Sequence, residues 1–138
     1  MKKTVEVLQT ELVSNIRKIN LNKSISNPVA VVDFIKNEFL KVTEPINKEF
    51  ASLIDIHDSG KSSYLSIDNF ELILIKESNA VHVGKSFEDG TLVFSRIFFK
   101  NGYTFVSTMD KEYFFDDKQL ENIFREAFEN ILKLDVKL

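Results

Sequence analysis

The chain contains no cysteine and no tryptophan, and only two histidines. Without cysteine there can be no disulfide, no thiol nucleophile and no zinc–thiolate centre. A histidine-based metal site would have to use His57, His82 or both. No uninterrupted apolar run approaches the roughly 20 residues needed to cross a bilayer, so no membrane association is expected. An excess of basic charge is missing too. Residues 1 to 60 carry 8 bases and 8 acids, and residues 61 to 138 carry 10 bases and 13 acids. Binding to a phosphate backbone needs a basic surplus, so nucleic acid is not an expected partner. The opening MKKTVEVLQTELV mixes charged and apolar residues and lacks the continuous apolar core of a secretory signal. A cytoplasmic location is the expectation, and the N-x-S triplet at Asn22 carries no weight there. Repeats, low-complexity tracts and interdomain linkers are also missing from the sequence.

What remains is a chain of 138 residues with ordinary hydrophobic and charged fractions, 43% and 28%, long enough to bury a core as a single domain over 1–138. The stretch that organises it is TLVFSRIFFKNGYTFVS, Thr91 to Ser107. Asn101-Gly102 tolerates positive φ at both central positions of a type I′ turn, which predicts a two-residue hairpin. That turn sets a register in which Lys100 faces Tyr103, Phe98 faces Phe105, Ile97 faces Val106 and Arg96 faces Ser107.

Upstream, Val5, Leu8, Leu12, Ile16 and Ile19 recur at helical spacing and predict a first helix from about Thr4 to Ile19, followed by a polar connection from Asn20 to Ser26. Asn27-Pro28 supplies an N-cap and a first-turn proline for a second helix. Its apolar register runs through Val32, Ile35, Phe39 and Val42 and on to Leu53, with a kink or a fresh start at Pro45. Asp55 to Ser63 is the most polar segment and reads as a loop. Alternation then begins, with strands near 64–67, 70–76, 80–85, in the hairpin and near 111–115. Asp116, Gln119 and the Phe115–Leu120 pair mark the start of a final amphipathic helix. The predicted fold is α+β: two N-terminal helices, an antiparallel meander of about five strands, and a C-terminal helix packed on the sheet.

The hairpin is apolar on both sides. One face would carry Phe94, Phe98, Tyr103, Phe105 and Met109, and the other Val93, Ile97, Phe99 and Val106. Phe70, Leu72 and Leu74 alternate with Ile73 and Ile75 in the same way. A sheet with one wet face should alternate apolar with polar, so both faces need a cover. Helices on one face and a second copy on the other is the economical arrangement. The expected function is therefore a non-enzymatic, chaperone- or adaptor-like interaction module, homodimeric, with a protein or peptide partner and no cofactor. A small apolar ligand held between sheet and helix is the alternative, with Arg96, Tyr103 or His82 supplying the polar contact. A small enzyme would draw on Asp55, His57 and Asp58, the only local acid–histidine cluster, which are also the candidate metal ligands. Gly60-Lys61-Ser62 imitates the tail of a phosphate-binding loop, but Asp55 stands where the motif needs glycine, and strands follow where it needs a helix.

Overall fold

The computed structural model describes residues 2–134. It opens with three helices, α1 (Lys2–Ser24), α2 (Pro28–Val42) and α3 (Glu44–Glu49), the last followed by a single 3₁₀ turn at Ala51–Leu53. Seven strands come next: β1 (Ile54–Ser59), β2 (Ser62–Ile67), β3 (Phe70–Lys76), β4 (Ala80–Phe87), β5 (Gly90–Lys100), β6 (Tyr103–Thr108) and β7 (Lys111–Phe114). Two further helices end the described residues, α4 (Asp117–Ala127) and α5 (Glu129–Leu132). The strands form one antiparallel sheet in the order β1-β2-β3-β4-β5-β6-β7, a pure meander. The α+β class and the helix–meander–helix order are as expected, with seven strands instead of about five.

Most of the excess lies in Asp55 to Ser63. This segment is not a loop: β1 and β2 pair from Ile54↔Ile67 to Ser59↔Ser62, and the turn takes only Gly60, at φ +60°, and Lys61. Its polarity belongs to an edge strand, where charge discourages pairing with another chain. The Asn101-Gly102 turn has φ of 55° and 79°, and all four expected pairs across the hairpin are present.

The helix caps follow the sequence. Asn27 accepts a bond from the Ala30 N–H at 2.9 Å, and Asp116 one from the Gln119 N–H at 3.1 Å. At Pro45 the chain makes a fresh start. Thr43 serves α2 instead of capping α3: its hydroxyl donates to the Phe39 carbonyl at 2.7 Å.

One sheet face is covered by α2 and α4. Leu65, Leu72, Leu74, Val81, Val83, Ile97 and Val106 are buried there against Val31, Val32, Ile35 and Phe39 of α2 and Leu120, Ile123 and Ala127 of α4, with Phe128 beyond. Lys36 of α2 pairs with Asp58 of β1 at 2.9 Å, and Lys85 of β4 pairs with Glu126 of α4 at 3.2 Å, so both helices are also tied to the sheet by charge.

The outer face departs from the expected lists. Val83 pairs with Ser95 and Gly84 with Val93, which leaves Phe94 as the extra residue of a β-bulge. Phe94 accordingly packs against the helix-covered core rather than beside Phe98, and Val93 is exposed. Met109 is also absent from that face. It sits in the β6–β7 turn with φ 52° and is almost fully exposed. The aromatic rings that do share the outer face cover one another. Phe98 stacks on Phe105 at 5.6 Å, Phe114 meets Phe105 edge-on at 6.3 Å, and Tyr103 lies 6.3 Å from Phe114. All four are half-buried.

Candidate functional site

Helix α1 is the least accommodated part of the fold. From Lys3 to Leu21 every residue is exposed, apolar ones included. Val5, Leu8, Leu12 and Ile16, the stripe that predicts the helix, are 53–60% exposed. An amphipathic helix normally turns such a stripe into the core. Here it faces outward along a rod that, at 23 residues, is about 35 Å long.

The rod is held only near its C-terminal end. Asn22 is buried and all its polar atoms are engaged. Its amide nitrogen donates to the carbonyls of Thr104 at 2.7 Å and Phe115 at 2.8 Å, and its oxygen accepts from the Thr104 N–H at 2.8 Å. The Thr104 hydroxyl closes the clasp by donating to the Asn22 carbonyl at 3.0 Å. Asn22 thus joins α1 to β6 and to the segment between β7 and α4. The helix extends one turn further than the expected end at Ile19, and its polar tail NLNKS is part of the anchor rather than a connection.

On the helical side of the body, an apolar groove of about 450 Å³ runs between α2–α3 and α4–α5. Val42, Ile46, Phe124, Phe128, Ile131 and Leu132 line it, with Glu38, Asp117, Glu121 and Arg125 among its polar residues. Val42 and Leu132 are 60% and 57% exposed. Arg125 donates to Glu121 at 2.9 Å and holds the Glu121 carboxyl below its ordinary pKa, with Lys118 adding to the effect.

The residues singled out from sequence fall elsewhere. His82 and Arg96 are direct cross-strand partners on the outer face, in one row with Ile75 and Ser107. Arg96 lies over the Phe98 ring at 5.5 Å, its stem along the aromatic row. Tyr103 is at the hairpin end, with the Lys23 ammonium 5.4 Å from its ring. These three share a face, and none of them lines the groove between the helices. A hollow of about 360 Å³ does lie between the sheet and α4, but it is lined by Phe94, Ser95, Val106, Thr108, Ile123 and neighbouring residues, with Arg96, Tyr103 and His82 all outside it.

Asp55, His57 and Asp58 are split by the strand. Alternation along β1 puts Asp55 and His57 on one face and Asp58 on the other. His57 lies 6.2 Å from the Tyr64 ring. Asp58 accepts from the Ser63 hydroxyl at 2.7 Å and from Lys36, and these two bonds hold its carboxyl below the ordinary aspartate range. Among the described residues no group of three histidine, aspartate or glutamate side chains is placed to hold a metal, and no helix is long and apolar enough to cross a membrane.

The groove and the exposed α1 stripe are the features that sequence reasoning did not reach. The stripe itself was legible; its lack of a seat was not. No family model, curated protein or solved structure matches the chain.

Proposed function

We propose that this chain is a non-enzymatic interaction module, adaptor- or chaperone-like, which docks polypeptide on α1 and acts as a homodimer. One observation carries the reading: an ordered amphipathic helix leaves the body with its apolar stripe turned to water. Each such side chain gains roughly 1.5–3 kcal/mol when buried, so four of them make a strong drive toward a partner. A polypeptide surface, long and apolar, is the natural complement to a rod of this length.

The reason for self-association shifts accordingly. From sequence it was an oily outer sheet face. Those rings largely shield one another, so the greater demand for cover sits on α1. That Asp55 and His57 lie on one face of β1 and Asp58 on the other supports a non-enzymatic reading.

The test uses the full chain with Leu8→Asp and Leu12→Asp together. Both positions are exposed, so the melting temperature should stay within a few degrees of the parent. Sedimentation velocity should show a dimer for the parent at tens of micromolar and a monomer for the variant. Unchanged sedimentation of the variant would refute α1 as the docking element.

A further inference from the structure

The docking helix has a matching seat elsewhere in the same fold. We propose that the seat is filled in trans: the α1 stripe of a second copy lies in the groove between α2–α3 and α4–α5, each copy giving one helix and receiving one. The inference rests on reading α1 as a docking helix, and it names both the surface and the partner.

Charge selects the partner. From Lys3 to Ser24 the chain carries four bases, Lys3, Arg17, Lys18 and Lys23, against two acids, Glu6 and Glu11. Residues 25–138 reverse the balance, with 13 bases and 19 acids. At the groove itself Glu38 is paired with Lys41 and Glu121 with Arg125 and Lys118, so the bias comes from the body as a whole rather than from the groove's edge. A basic amphipathic helix therefore meets an apolar floor on a body of net negative charge. Two α1 helices laid on each other would instead bring like charge together.

Within one copy α1 does not lie in the groove, since none of the residues lining it belongs to that helix. Asn22 fixes where α1 leaves the body, and residues 2–24 contain no glycine or proline at which the rod could turn back. Reciprocal exchange satisfies both surfaces at once. Each copy contributes the same helix and the same groove, so the assembly closes on a two-fold axis and leaves no open end for further growth.

The absence of cysteine makes the contact directly readable. Full-length chains carrying Leu12→Cys are mixed with chains carrying Val42→Cys and oxidised gently, and Leu8→Cys is paired with Leu132→Cys in the same way. Disulfide-linked dimers of the mixed pairs are expected, with about tenfold less from either chain alone. Self-linking of Leu12→Cys without mixed products would overturn the groove in favour of an α1–α1 contact. The second arm measures self-association of Val42→Glu and Leu132→Glu. Both positions are exposed, so the fold is retained, and the dissociation constant should rise about tenfold or more. Parental affinity in these variants overturns the proposal. If they associate normally while Leu8→Asp/Leu12→Asp does not, the groove falls and the docking helix stands. If the parent is monomeric at high micromolar concentration, exchange in trans is excluded outright.

Discussion

At the scale of single residues, Asn22 holds more of the architecture than its place in the sequence suggests. It lies in a polar stretch between two apolar helices, where asparagine ordinarily means a solvated connection. Its side chain instead completes the backbone bonding of Thr104 and Phe115, 82 and 93 residues away. Asn22→Ala would strand a buried N–H on Thr104 and weaken the bonding of two carbonyls. The expected loss is roughly 3 kcal/mol, or about 10 °C in Tm by calorimetry. A change under about 2 °C would show that water replaces the amide and that the clasp is dispensable. The trace of this role in the sequence is the three-residue spacing of Ile19, Asn22 and Ile25, which carries the helical period past Ile19, the expected end of the helix. Which backbone groups the amide would meet was beyond reach, because that depends on how β6 and β7 end. Arg96 reads in the sequence as a polar contact for an apolar ligand; in the structure its guanidinium lies over the Phe98 ring at 5.5 Å.

At the scale of elements, turn chemistry was the most readable signal and the bulge the least. Asn101-Gly102 fixed five cross-strand pairs, because the pair of positive φ angles it accepts matches the twist of the strands it joins. The sequence masks the β1–β2 hairpin because edge strands are charged for their own reasons, and that charge hides the alternation of Ile54 and Ile56. Strict alternation puts Phe94 on the wrong face, because nothing in its own strand marks an inserted residue. The one local sign is Gly84, opposite the bulge. A Cβ there would lie 2.9 Å from both the Leu92 carbonyl oxygen and the Thr91 Cγ2, too close for any substituted residue. Gly84→Ala should therefore cost about 1–3 kcal/mol by forcing the β4–β5 backbones apart. Gly90→Ala, where a Cβ meets nothing within 4 Å, should stay within about 0.5 kcal/mol. Equal urea midpoints for the two variants would show that the bulge yields without strain.

At the scale of the whole molecule, the structure divides into a well-packed body and a rod attached to it at one point. Helices owe most of their stability in water to packing rather than propensity, and α1 packs only through its last turn. Amide exchange should therefore depend on concentration in one region alone. In dilute solution residues 3–19 should exchange orders of magnitude faster than β3–β5, and at concentrations that favour the dimer they should become protected, with the sheet unchanged. Protection of α1 that is the same at every concentration would mean the rod is stable without a partner. Each strand pairs with its neighbour in sequence, so the sheet can assemble as it is made, hairpin by hairpin. The clasp cannot. During translation Asn22 precedes Thr104 and Phe115 by most of the chain, and at about 5–20 residues per second its seat appears some 4–20 seconds later. Throughout that interval nothing anchors α1 to the body, and its stripe is as open to a partner as it remains once the chain has folded.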